Sequence, residues 1–245
     1  MPTLGRGWER AAEAAQKEKR SYAEFLRSIL EEEVENRTVR RVERRIKDAR
    51  FPAPKTFETF DFSACAGVES AAVMSLAEGR YLDDRENVLF IGPIGTGKTH
   101  MAIALGIAAC QRSRRVRFTT AAALLTDLVE AKARGELARV LGRLGRLDLL
   151  IVDELGYVPL AKEGADLLFQ VFSDRHERGS VLVTTNLPFK EWGSVFPDAR
   201  MAGALVDRLT HRAQIFQTQG ESMRLRQGLA RRAKDRGSKA ARAAR

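Results

Sequence analysis

The octapeptide Gly92-Pro93-Ile94-Gly95-Thr96-Gly97-Lys98-Thr99 limits what this chain can fold into more than any other feature. It matches G-x-x-x-x-G-K-[ST] in full, follows the apolar run Val88–Ile91 and opens a helical pattern over residues 98–111. A strand, this loop and a helix in that order make a phosphate-binding unit. The glycines let backbone N–H groups turn inward around phosphates, and the helix N-terminus adds the positive end of its dipole. In that setting Lys98 reaches the β- and γ-phosphates and the Thr99 hydroxyl ligates Mg2+. Gly92 to Thr99, with His100 directly behind them, are the expected ATP contacts.

Asp153 stands fifty-five residues beyond Lys98, in the run Leu149-Leu150-Ile151-Val152-Asp153-Glu154. Four apolar residues ending in an acid describe a buried strand that delivers a carboxylate beside the loop, so Asp153 joins Thr99 in the metal shell. Glu154, directly after it, stands where a base polarises an attacking water. Paired acids favour hydrolysis over transfer to a substrate hydroxyl, the chemistry of a small-molecule kinase. The strand pattern Ser180–Thr185 ends at Asn186. If that strand lies between the other two, Asn186 projects toward the γ-phosphate and orients the water; otherwise it closes an Asx-turn. An arginine beside the γ-phosphate stabilises transition-state charge and can come from a neighbouring subunit. Periodicity alone gives neither Arg208 nor Arg224 that role.

Short apolar runs alternate with helical patterns through the rest of the chain. Val88–Ile91, Val116–Thr119, Leu147–Val152 and Ser180–Thr185 read as strands, with a weaker one at Ala213–Gln217. Helical patterns fall near 98–111, 121–133 and 163–178. This alternation predicts an α/β fold with a parallel sheet covered on both faces. Upstream, Phe51-Pro52-Ala53-Pro54 interrupts helix and marks a boundary. Before it, Ser21-Tyr22-Ala23-Glu24 reads as a capping box opening a helix with Tyr22, Phe25, Leu26, Ile29 and Leu30 on one face. A second helix is expected over 38–49, where Val39, Val42, Ile46 and Ala49 form the apolar stripe. The chain divides accordingly into a helical unit at 1–50, a linker at 51–62, an ATPase domain at 63–223 and a basic tail at 224–245.

Charge follows the same division. The net charge is +10, of which residues 1–50 carry +3 and residues 224–245 carry +8, leaving −1 for the middle. A nearly neutral body with basic ends points to a polyanion, and nucleic acid is the usual one. Arg37, Arg40, Arg41, Arg44, Arg45 and Lys47 crowd one helix beyond what solubility needs. They are the candidate DNA contacts, to the backbone, independent of sequence and sensitive to salt. The tail reads equally well as a solubilised terminus.

Hydrophobic content of 44% against 30% charged residues excludes a wholly disordered chain. Cys65 and Cys110 make no disulfide framework or metal pair and are expected to be buried thiols. His100, His176 and His211 share no metal-ligand spacing. Trp8 and Trp192 are expected to be packing anchors. No apolar signal core opens the chain, and the longest apolar run, Met101 to Cys110, is too short to span a bilayer. A soluble, cytoplasmic protein with no membrane partner is expected.

The ordered combination of these segments resembles the IstB family of transposition helper ATPases, which is similar to the DnaC-type helicase loaders and more distantly to the DnaA initiators. The phosphate loop, Asp153-Glu154-Leu155-Gly156-Tyr157, Thr184-Thr185-Asn186-Leu187-Pro188-Phe189, Trp192, Asp207-Arg208-Leu209-Thr210-His211 and Gly220-Glu221-Ser222-Met223-Arg224 carry the resemblance, from Tyr22 to about Gln227. It implies an AAA+ ATPase with a five-stranded parallel sheet of order 5-1-4-3-2 and a small N-terminal helical domain for assembly and DNA engagement. Lys98 and Thr99 match Walker A, Asp153 and Glu154 Walker B, Asn186 the first sensor, Arg208 the arginine finger acting in trans and Arg224 the second sensor. Phe60-Asp61-Phe62 matches the segment lying against adenine, which gives Phe60 and Phe62 to the nucleotide site. The implied cofactors are ATP and Mg2+. The implied partners are double-stranded DNA, further copies of the chain in a ring or spiral, and an IstA-type transposase that the assembly recruits and stimulates. Two departures stand out: Met223 replaces an aromatic common in the family, and the 28 residues after Gln217 imply an abbreviated or absent lid.

A replicative helicase loader shares nearly every motif and differs in its partner, a hexameric helicase. A nucleotide-gated adaptor without turnover is the reading from another class, and Glu154 argues against it.

Overall fold

The computed structural model describes residues 4–65, 67–157, 159–220 and 222. Two helices lead, α1 (Leu4–Lys17) and α2 (Tyr22–Ala49). Short helices α3 (Ser70–Leu76) and α4 (Arg80–Asp83) introduce the alternating body: β1 (Asn87–Ile91), α5 (Lys98–Gln111), β2 (Val116–Thr120), α6 (Ala121–Ala133), α7 (Leu137–Gly145) and β3 (Leu149–Asp153). Then come α8 (Lys162–Arg175), β4 (Ser180–Thr185), α9 (Ala199–Thr210) and β5 (Ala213–Gln217). The five strands form one sheet ordered β2-β3-β4-β1-β5, every pair parallel. This is the expected 5-1-4-3-2 read from the opposite edge, so β4 does lie between the strands carrying the two motifs.

The inner strands β1, β3 and β4 are buried on both faces, which is why their apolar residues run together instead of alternating, whereas the edge strands β2 and β5 are partly exposed. Along β1 and β3, Val88, Phe90, Leu149 and Ile151 face α5 through Met101, Ile103 and Leu105. Their neighbours Leu89, Ile91, Leu150 and Val152 pack on the other side with Leu128, Leu168, Phe172 and Leu205. Trp192 is fully buried there and donates from Nε1 to the Leu187 carbonyl at 3.2 Å, whereas Trp8 is half exposed and anchors nothing comparable. Cys65 and Cys110 are free and buried; burial pushes the Cys110 thiol up to about 12. No helix among the described residues is long and apolar enough to cross a membrane.

The N-terminal helices differ from the expectation. In place of two helices over 22–30 and 38–49, α2 is one continuous helix of 28 residues, and α1 precedes it. The capping box at Ser21 and Glu24 forms as expected, and Arg50 ends the helix in a left-handed conformation at φ 58°. Between the two patterns nothing breaks the ladder: the segment has no Gly or Pro, and Glu33 pairs with Arg37 at 2.7 Å across one turn. Ala49 and Ile46 sink into the core under α5, where a β-carbon on Gly106 would lie 2.7 Å from the Phe51 ring. The absence of a side chain at Gly106 is therefore what lets the end of α2 dock so closely.

Candidate nucleotide site

At the C-terminal end of β1 the chain enters the glycine loop with Gly92, Gly95 and Gly97 at φ 147°, 85° and 93°. These are conformations that L-residues with side chains avoid, and they turn the backbone so that α5 begins at Lys98. The Lys98 ammonium donates to the carbonyls of Gly92 (2.7 Å) and Pro93 (2.6 Å), folded over its own loop.

The neighbouring strand ends complete the site. The Thr99 hydroxyl donates to Asp153 Oδ1 at 3.0 Å, joining residues 54 positions apart. Thr184 donates to the same carboxylate oxygen. Its hydroxyl also accepts the backbone N–H of Glu154 at 3.0 Å, and its carbonyl accepts that of Leu155 at 2.9 Å. Asp153 is thus buried and twice hydrogen-bonded, while Glu154 emerges exposed in a left-handed conformation at φ 60°. Non-glycine residues rarely adopt that conformation, and strain of this kind clusters at functional sites. Hard oxygen donors from Thr99 and Asp153 are the set Mg2+ prefers, so the residues present fit that ion.

Other expected residues gather around this centre to different degrees. Phe60 packs its ring 4.9 Å from His100 and 4.7 Å from Phe62, and His100 Nε2 lies 2.8 Å from the Thr56 carbonyl. The 56–62 segment is thereby pinned to the start of α5. Asn186 follows β4 half-buried and makes no hydrogen bond among the described residues. Arg208, on α9, lies with its Cζ 4.3 Å over the Phe169 ring of α8, and its buried Nη1 has no hydrogen-bond partner. Arg224, Met223, the tail and any lid fall outside the described residues. Of the basic set on α2, Arg37 is paired with Glu33, Arg40, Arg41, Arg44 and Lys47 are exposed, and Arg45 is half-buried with an unpaired Nε.

Three contributors were not legible as site residues. Thr184 ties the two acids together, and as one threonine in a β-branched strand it carries no signal of its own. Thr218 bonds Thr96 hydroxyl to hydroxyl at 2.7 Å and donates its backbone N–H to Ile91. Ser222 lies against the loop so closely that a β-carbon on Gly95 would collide with its side chain. Away from this centre, His176, Glu177 and His211 bring ligand atoms within 4.8 Å of one another, a grouping that sequence spacing hides.

A glycine loop, a carboxylate held on its threonine and a parallel sheet of this order together define the class of the protein, and comparison with known sequences defines it further. The model of the IstB-like ATP binding protein family matches residues 1–231. The chain belongs to the IstB-like ATP-binding protein family. The ATP-binding protein of insertion sequence IS5376 from Geobacillus stearothermophilus is 38% identical over 227 residues, covering 93% of this chain and 90% of the relative. That of insertion sequence IS21 from Pseudomonas aeruginosa is 40% identical, covering 89% and 83%. Among solved structures, AMPPCP-bound DnaA from Aquifex aeolicus matches with a TM-score of 0.56 at 20% identity over 69% of this chain, which spans about half (51%) of that one. The DnaC helicase loader matches with a TM-score of 0.53 at 16% identity, covering 61% of this chain and 87% of its own. These likenesses give the IstB-like chain the AAA+ P-loop fold.

Proposed function

We propose that this IstB-like protein is an ATP-hydrolysing, DNA-binding AAA+ ATPase that assembles on target DNA and recruits an IstA-type transposase during insertion-sequence transposition. The observation that carries the proposal is the bonded chain Thr99–Asp153–Thr184–Glu154, which sets one carboxylate on the phosphate loop and aims a second outward. Relatives named as ATP-binding proteins of insertion sequences support the transposition setting.

In this reading Gly92 to Lys98 bind the phosphates of ATP, and the Lys98 ammonium leaves its own loop carbonyls for the β- and γ-phosphates. Phe60, Phe62 and His100 form the adenine side. Thr99 and Asp153 would hold Mg2+, which would supply neutralisation of the phosphate charge that develops during transfer. Glu154 accepts a proton from water as the water oxygen attacks the γ-phosphorus, and the bond to the bridging oxygen breaks to release ADP and phosphate. Asn186 orients that water. Arg208 of a neighbouring copy leaves its Phe169 stack and meets the γ-phosphate, so ATP bridges two subunits; Arg224 serves as second sensor.

Residues 1–50 act as the assembly and DNA-engaging unit, 63–223 as the ATPase domain. Support for assembly comes from α2, where Tyr22, Leu26, Leu30 and Val34 recur every fourth residue and all stay exposed in the single chain. Support for DNA comes from the basic side chains that follow on the same helix.

The test is sedimentation of the protein with a duplex of several tens of base pairs, with and without ATP. A large protein–DNA complex that forms only with ATP is the expected result. A monomer that ignores both ligands would overturn the reading and favour helicase loading, with the partner supplying the assembly.

A further inference from the structure

The described surface has a second concentration of positive charge far from the phosphate loop. A groove with a cavity volume of about 690 Å³ runs between the end of α2, the edge strand β2 and helices α6 and α7. It opens beside Arg115 and Leu147, at the N-terminal ends of β2 and β3, whereas the nucleotide site lies at their C-terminal ends. Eight arginines line it against three carboxylates. Three of them are internally matched: Arg115 with Asp148, Arg134 with Glu130 and Arg139 with Glu136. The other five, Arg45, Arg50, Arg117, Arg143 and Arg146, join no ion pair among the described residues. Arg45 also keeps a buried Nε without a hydrogen-bond partner.

These guanidinium groups feel one another. Burial first, then the charge of Arg50, pushes Arg117 below the ordinary arginine value, with Arg143 adding to it and Asp127 opposing. A half-buried cation facing like charges is costly unless an anion joins it. The five unmatched groups arrive from three elements along an open groove instead of converging on one buried point, so each can take a separate phosphate. Arginine suits that task because its fork binds phosphate oxygens in pairs.

We propose that this groove is a phosphodiester-binding track that carries the DNA backbone from α2 onto the ATPase domain, with Arg50, Arg117, Arg143 and Arg146 as its contacts. The proposal rests on the DNA-binding reading above and deepens it. It moves a share of the DNA affinity from the helix that composition singles out to β2 and α7, residues that nothing in the sequence groups together.

The test compares full-length wild-type protein with Arg143→Gln/Arg146→Gln, both exposed positions on or just after α7, by fluorescence anisotropy on a labelled duplex. Salt is varied between about 50 and 200 mM. Each phosphate contact contributes about 0.9 to the slope of log affinity against log salt, so the double variant should lower the slope by about two and weaken binding by roughly tenfold or more. ATP affinity and melting temperature should stay at the wild-type values. Unchanged slope and affinity, in a protein whose Arg40→Gln/Arg44→Gln variant does lose DNA, would overturn the groove and leave α2 as the DNA surface. An equal loss in the charge-matched Lys162→Gln/Lys190→Gln variant would also overturn it, as an effect of net charge alone. Wild-type protein that fails to bind duplex at any salt overturns the DNA-binding reading itself, a result separate from failure of the groove.

Discussion

The backbone N–H of Glu154 donates a 3.0 Å hydrogen bond to the hydroxyl of Thr184, which in turn donates to Asp153. One side chain from the central strand β4 therefore fixes both acids at the end of β3. It holds Asp153 on the phosphate loop and stabilises the left-handed backbone that turns Glu154 out.

Replacing that hydroxyl by a methyl group tests the arrangement. Thr184→Val keeps the β-branched shape inside β4 but leaves a buried carboxylate and an N–H short of a partner, which costs about 1–3 kcal/mol. We expect ATP turnover to fall about tenfold or more with nucleotide affinity nearly unchanged, read from phosphate release beside a nucleotide titration. Equal loss of both would mean that Thr184 supports the fold and not the geometry of Glu154.

Glu154 itself is exposed and lies in no hydrogen bond that removal would break in the core. Glu154→Gln should therefore leave the melting temperature in place. Turnover should drop by about 10²–10⁴-fold, the range of general-base catalysis, while ATP still binds and supports assembly. Substantial residual hydrolysis would transfer the base to another group.

Gly95 combines φ 85° with a Ser222 side chain that occupies the place a β-carbon would take. Gly95→Ala must displace either the loop or the segment leading to residue 222. Nucleotide affinity should fall at least about tenfold, since 1.4 kcal/mol of distortion suffices for that, with the β1–β3–β4 core intact by circular dichroism.

Arg208 lies over Phe169 in a favourable cation–π contact yet keeps one buried nitrogen without a hydrogen-bond partner, a donor that a phosphate oxygen would satisfy. Arg208→Ala should abolish the ATP-dependent shift in sedimentation and reduce turnover, while monomeric protein binds ATP as before. Arg208→Lys should fail to restore either, because a point ammonium lacks the fork. Full turnover and assembly in Arg208→Ala would exclude the action in trans.

The ion pair at the mouth of β3 predicts an acid limb. Burial works to raise the Asp148 carboxyl, but the hydrogen bonds and charge of Arg115 outweigh it and hold it below the ordinary value of 3.8. A carboxyl depressed in the folded state contributes stability above its unfolded value, and loses it as pH falls through the folded one. Asp148→Asn should cost about 1 kcal/mol at neutral pH, a difference that starts to close near about pH 4 and disappears only below the depressed folded value. Parallel melting curves from pH 7 to acid would refute this.

The sequence by itself determined the five strands, their alternation with helices, the phosphate loop and the acids behind it. Each rests on local chemistry: glycines that alone turn the loop, apolar runs that only a doubly covered sheet can bury, and an acid placed at a strand end. The family was legible for the same reason, since its motifs are short and ordered. Tertiary structure alone decided what depends on distant segments meeting. Thr184 became the link between Asp153 and Glu154 because β4 inserts between β1 and β3, and Thr218 and Ser222 reached the loop because β5 pairs with β1. The groove exists because the end of α2 docks beside β2 and α7, bringing Arg50 to Arg117 and Arg143. The two helices read before Phe51 fused into one because local patterning marks apolar faces but not continuity. Continuity depended on the Glu33–Arg37 pair and the absence of any residue that breaks the backbone ladder.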